Sequence, residues 1–165
     1  MTLERLCNCF NVYMEEFYPR EDLTLEEFDN VFCQMLNNTA PLFDVLADRG
    51  TRTINIYQIL ITLVVFESHA EFDEKVGLIF KAFDIDGSGS LDRSECGKFL
   101  ISGITGLAKM VGLTTPSRIG IAEFTHAQFK IIDEDESGLI DLNEFVQWVS
   151  CTEEIQNFLC TYTGV

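Results

Sequence analysis

Asp84 to Glu95 reads DIDGSGSLDRSE, and Asp133 to Glu144 reads DEDESGLIDLNE. The two stretches place the same kinds of side chain at the same offsets. Position 1 is Asp84 or Asp133, position 3 is Asp86 or Asp135, position 5 is Ser88 or Ser137, and position 12 is Glu95 or Glu144. Gly89 and Gly138 stand at position 6, where a sharp turn disfavours any side chain. Position 8, Leu91 or Ile140, is apolar, and helical runs of apolar residues flank both stretches.

An oxygen at nearly every second residue suits a large, hard cation. Calcium takes about six to eight oxygens at about 2.3 to 2.6 Å, so the chain must wrap around the ion. Asp84, Asp86, Ser88 and Glu95 supply side-chain oxygens in one loop, and Asp133, Asp135, Ser137 and Glu144 in the other. Ser90 and Leu139, at position 7, need only a backbone carbonyl, which any residue has. Asp92 and Asp141, at position 9, are expected to act through a water. A glutamate at position 12 can bind with both oxygens, which suits calcium better than the tight octahedron of magnesium. Acidic surface turns use the same residue types, but two matching loops, each between apolar helical runs, favour about two calcium sites.

The chain has 165 residues, 27 acidic and 11 basic, and a formal net charge of −16. Two divalent ions would offset four of those charges. The remainder repels nucleic acid and anionic membrane, so a basic or amphipathic protein helix is the expected partner. Cys7, Cys9, Cys33, Cys96, Cys151 and Cys160 form no CxxC pair, and only His69 and His126 could join them around zinc. They read as buried thiols of a reducing compartment. The longest apolar run, Ile59 to Phe66, is too short for a transmembrane segment, and no signal peptide is recognisable. No nucleophile, base and orienting residue form a catalytic motif, so an enzyme is not expected. The location expected is cytoplasmic.

Repeats organise the rest of the chain. Phe72, Val76, Ile79, Phe80 and Phe83 precede the first calcium loop at helical spacing, and Phe99, Leu100, Gly103, Ile104 and Leu107 follow it. Ile121, Phe129 and Ile132 precede the second, and Phe145, Val146 and Val149 follow it. Thr115 and Pro116 suit a helix start. Two weaker copies lie upstream. Ile54 can serve as position 8 of a loop from Ala47 to Gln58, and Leu23 as position 8 of a loop from Glu16 to Glu27, whose exit helix would carry Phe28, Val31, Phe32, Met35 and Leu36. The Ala47 loop lacks ligands at Ala47, Arg49 and Gln58. The Glu16 loop has Tyr18, Pro19 and Glu21 at positions 3, 4 and 6. Neither is expected to bind calcium.

These residues resemble the EF-hand superfamily in its four-hand form, with hands one and two degenerate and hands three and four intact. Phe72 to Gly89 (FDEKVGLIFKAFDIDGSG), the 49-residue spacing from Asp84 to Asp133, and Pro19 in a disabled first loop are similar to the neuronal calcium sensor group and its relatives calcineurin B and calaxin. The resemblance implies an all-α fold of four helix-loop-helix units in two paired lobes, residues 1–68 and 69–165, with short antiparallel contacts between paired loops. It also implies a calcium sensor acting on a protein target through an apolar groove. A light-chain-like subunit of a larger assembly, in a cilium or flagellum axoneme, and a calcium buffer are the alternatives. The chain opens Met1, Thr2, Leu3, so no N-myristoylation motif is expected. Ile54 to Phe66 is apolar almost all round, which fits either full burial or a face on the target groove. Ile155, Phe158, Leu159 and Tyr162 have helical spacing after Thr152, as a core helix or an occupant of that groove.

Overall fold

Thr24, Asn55, Asp92 and Asp141 each precede a helical run, and each accepts a backbone N–H of the following turn on its side-chain oxygen. A short polar side chain at this place satisfies a donor that has no partner within the helix. Four helices therefore begin at the same point of four successive loops. The computed structural model describes residues 2–114 and 118–151.

In chain order these residues form α1 (Leu3–Glu16), β1 (Asp22–Leu23), α2 (Leu25–Phe32), α3 (Ala40–Leu46), β2 (Ile54–Asn55) and α4 (Ile56–Val65). Then follow α5 (Phe72–Phe83), β3 (Ser90–Leu91), α6 (Arg93–Met110), α7 (Arg118–Ile132), β4 (Ile140–Asp141) and α8 (Leu142–Cys151). The fold is all-α, with only two-residue strands that tie loops in pairs. Strands β1 and β2 are antiparallel with Leu23 opposite Ile54, and β3 and β4 are antiparallel with Leu91 opposite Ile140. All four of these position-8 side chains are fully buried. Their burial makes the loop pair part of a core as well as a surface feature.

The chain divides into two units, Met1–Glu67 with Ser102–Thr115, and Ser68–Ile101 with Pro116–Val165. The sequence places 102–115 in the C-terminal lobe, whereas these residues group with the first unit. Gly106 shows why. A Cβ there would lie 2.7 Å from the Gln58 carbonyl oxygen and 3.0 Å from the Thr62 hydroxyl, so the second half of α6 meets α4 closely only because residue 106 is glycine. Helix α4 is buried along its length apart from a partly exposed Gln58. That supports the burial alternative for Ile56 to Val65, with α1 packed on the same helix.

In the first unit, Phe28, Phe32 and Phe43 form one ring cluster, while Tyr13 and Tyr57 stack edge to face. The expected exit helix through Leu36 stops at Phe32, and Cys33 caps it by donating its N–H to Asp29. In the second unit, α5 packs on α8, and Phe80, Phe83, Phe99, Phe145 and Trp148 meet in tilted and edge-to-face pairs. Such pairs add to plain area burial.

The thiols depart from their expectation of burial. Cys9 and Cys96 are buried and Cys7 is half-buried, but Cys33 and Cys151 are exposed, because each stands at the end of a helix where the core-facing stripe runs out. Cys160, Thr115, Pro116, and the segment from Thr152 through Tyr162 lie outside the described residues.

Candidate metal centre

Helix α5 ends at Phe83, and the chain leaves it through Asp84, Ile85 and Asp86. For convenience the four loops are numbered I (16–27), II (47–58), III (84–95) and IV (133–144). In loop III, Asp84 accepts the backbone N–H of Ser88 at 2.9 Å and of Gly89 at 2.9 Å on its two carboxylate oxygens. The loop thus closes around the first ligand before any ion is considered. Gly89 adopts φ +82°, as position 6 demands, and Gly87 at position 4 adopts φ +69°. The Ser88 hydroxyl donates to the Ser90 carbonyl at 2.9 Å, bringing positions 5 and 7 together.

Loop IV repeats this geometry. Asp133 accepts the N–H of Gly138 at 3.1 Å, and the Ser137 hydroxyl donates to the Leu139 carbonyl at 2.9 Å. Gly138 has φ +83°. Position 4 differs, since Glu136 adopts φ +58° where loop III has a glycine. A full side chain in this left-handed region costs about 1 kcal/mol.

Position 12 closes each loop. Glu95 accepts the N–H of Ile85 at 2.8 Å and of Asp92 at 3.0 Å, and Asp92 accepts the N–H of Glu95 at 2.8 Å. Glu144 accepts N–H groups of Glu134 at 2.9 Å and Asp141 at 2.9 Å, and Asp141 accepts that of Glu144 at 2.8 Å. These reciprocal bonds form a capping box, in which the position-9 side chain and the position-12 carboxylate satisfy each other's backbone. Asp92 and Asp141 therefore serve as helix caps. The D-x-x-E spacing of DRSE and DLNE signals this cap, a duty that the reading of position 9 as a water relay does not consider.

One carboxylate oxygen from each of Asp84, Asp86 and Glu95 lies within 4.8 Å of the others, and the same holds for Asp133, Asp135 and Glu144. Two oxygens bound to one calcium lie at most about 5.2 Å apart, twice the longest ordinary bond, so both clusters fit one ion each. The donors are all hard oxygens, which matches the chemistry of the group. The Ser88 hydroxyl and N–H hold the Asp86 carboxyl below the usual range, and Ser137 does the same for Asp135. Both groups thus stay ionised through neutral pH. Glu95 is buried while Glu144 is half-buried, so the two sites differ in how far position 12 is withdrawn from water. Loops I and II gather no comparable acidic cluster among the described residues.

Residues 73–150, which hold both clusters, match the family described as an EF-hand domain pair. That stretch is an EF-hand pair. The chain is similar to the guanylyl cyclase inhibitory protein of Lithobates pipiens, 24% identical over 85% of this chain and 73% of the relative. It is also similar to guanylyl cyclase-activating protein 1 of Gallus gallus, 27% identical over 86% of this chain and 70% of the relative. The calcineurin B of Naegleria gruberi is 26% identical over 66% of this chain and 57% of the relative. The match with the sensor and calcineurin B group agrees with the resemblance carried by Phe72 to Gly89. Among the described residues, no helix is long and apolar enough to cross a membrane.

Proposed function

We propose that the protein is a calcium sensor whose loops III and IV each hold one ion and whose second unit then engages a protein target. The gathering of Asp84, Asp86 and Glu95 in one loop, and of Asp133, Asp135 and Glu144 in the other, carries this reading. Ser88 and Ser137 would complete the shells with side-chain oxygens, and Ser90 and Leu139 with carbonyls. A bound ion would supply the positive charge that each acidic loop lacks. The chain's own residues convert that charge into movement. Glu95 heads α6 and Glu144 heads α8, so a carboxylate that leaves its backbone donors for the loop centre carries its exit helix along.

Helix α8 packs on α5 through Phe145 and Phe80, whose ring centroids are 5.6 Å apart. Turning α8 would part these faces and uncover apolar surface for a helix of the target. The chain's charge of −16 favours a basic or amphipathic helix as the occupant. The first unit, which keeps its core without competent loops, serves as an anchor whose shape does not follow calcium. The cytoplasm is the place proposed for this activity, and no catalytic step is assigned to the chain. Relatives named as an inhibitory protein, an activating protein and a subunit support action on another protein. The calcineurin B likeness also favours a second reading, a permanently docked subunit that responds to calcium in place.

Calorimetric calcium titration in millimolar magnesium, with an apolar dye read in parallel, tests the proposal on the wild type and on Glu95→Gln plus Glu144→Gln. About two micromolar-range sites, coupled to dye binding and weakened on the order of 100-fold in the double variant, are expected. No heat of binding would overturn the sensor, and binding without dye uptake would favour the docked subunit.

A further inference from the structure

Position 12 of loops I and II is occupied by Glu27 and Gln58, and neither side chain is left to point at an empty loop. In loop I the Arg20 guanidinium, at position 5, donates to the Glu27 carboxylate. Glu27 also accepts the Thr24 N–H at 2.8 Å, and this bond first, with Arg20 adding to it, holds its carboxyl below the usual range. Glu16, at position 1, accepts from the Asn30 amide at 2.8 Å, a link from the end of α1 to α2. In loop II the Lys109 ammonium donates to the Gln58 amide oxygen at 3.0 Å and to the Leu46 carbonyl at 3.0 Å. Leu46 is the last residue of α3, and Gln58 lies in the first turn of α4.

An ion in a working loop joins the end of the entering helix, through position 1, to the start of the exit helix, through position 12. Lys109 makes that same connection through hydrogen bonds, and Arg20 makes its position-12 half, with its guanidinium 5.8 Å from the ring centroid of Phe17, the C-cap residue of α1. Lys109 ties the end of α3 to the first turn of α4, and the carbonyl end of a helix is the favourable place for a cation. Burial pushes the Lys109 ammonium below its usual range, and Asp48, at position 2 of loop II, which accepts the N–H groups of Gly50 at 2.8 Å and Thr51 at 3.2 Å, opposes that shift with its negative charge. Arg52 holds φ +55° at position 6, so the loop keeps the turn of a working hand without its glycine. In loops III and IV, among the described residues, the hydrogen bonds of Glu95 and Glu144 come from backbone N–H groups, and the positive charge has to arrive from outside.

We infer that Arg20 and Lys109 are resident cations of the first unit, standing where calcium would act and locking hands I and II in one arrangement at any calcium level. The inference concerns the first unit alone and stands whether or not loops III and IV bind calcium. It assigns Lys109, within the segment 102–115, to a loop more than fifty residues earlier in the chain.

Amide hydrogen exchange of the full chain in a chelator provides the test. The Ile56 N–H, which donates to the Glu21 carbonyl at 2.9 Å, and the Asp48 N–H, which donates to the Thr53 carbonyl at 2.8 Å, report on loops I and II. Lys109→Met, which keeps the apolar stem, is expected to speed both at least about tenfold, with no recovery on adding calcium. Arg20→Gln, at an exposed pair, is expected to speed Ile56 only about twofold. Gln58→Glu separates charge from packing. It should slow exchange when Lys109 is present and speed it in the Lys109→Met background. Wild-type rates in Lys109→Met, or equal effects of Gln58→Glu in both backgrounds, would overturn the inference, as would recovery of either variant by calcium.

Discussion

Loops I and II and loops III and IV share one frame and differ in what fills it. In both pairs a two-residue antiparallel bridge brings buried position-8 side chains together, and in all four loops position 9 caps the exit helix. The frame therefore needs an apolar residue at position 8 and a short polar one at position 9. Carboxylates at positions 1, 3 and 12 are a separate requirement, met in loops III and IV alone. The difference teaches that a pair of helix-loop-helix units keeps its bridge and its helix caps without carboxylates at all of positions 1, 3 and 12.

The largest test of this separation removes the shared frame. Leu23→Ala and Leu91→Ala each truncate a fully buried side chain and should cost about 2 to 5 kcal/mol, one in each unit, as read by chemical unfolding. If the first unit tolerated its change and the second did not, the bridge would be a calcium device after all. Next in size is the metal itself. Calcium at about 100 times its dissociation constant should stabilise the second unit by about 2.7 kcal/mol per site, and a chelator should remove that gain. Calorimetric melting should show the first unit unmoved, and a shift in both would break the division of labour.

Caps come third. Thr24→Ala and Asp141→Ala should each cost about 1 kcal/mol, since both delete an N-cap oxygen. Asp141→Ala should in addition weaken calcium binding, because Glu144 loses the partner that holds its backbone. The smallest effect concerns position 4. Glu136→Gly removes left-handed strain and adds chain entropy, so a net gain of less than about 1 kcal/mol in the calcium-free second unit is expected from its urea midpoint. No gain would show that loop IV tolerates glutamate there as well as loop III tolerates Gly87.

Much of this comparison is legible in the residues. The oxygen spacing of DIDGSGSLDRSE locates loop III, and the same template slid along the chain places loops I, II and IV at helix ends where the structure has them. Four-hand architecture and the paired bridges follow from that spacing because each loop position has a fixed physical duty. Less local features escape a linear reading. The grouping of residues 102–115 with the first unit depends on Gly106 and Lys109 meeting α4, a contact between segments about fifty residues apart. Exposure of Cys33 and Cys151 depends on where two helices stop, and helix ends are the least marked features of a periodic pattern. Arg20, at position 5, offers calcium no oxygen from its side chain, and its tie to Glu27 shows only once the loop is folded.

The single tryptophan, Trp148, lies among Phe99, Phe145 and Gln128 in the second unit, whereas Tyr13, Tyr18 and Tyr57 belong to the first. Indole absorbs to the red of phenol, so a wavelength chosen to spare tyrosine excites only the calcium-competent half. The protein thus carries its own colour separation: one edge of its ultraviolet spectrum belongs to the loops that answer to calcium, without a label or a cut in the chain.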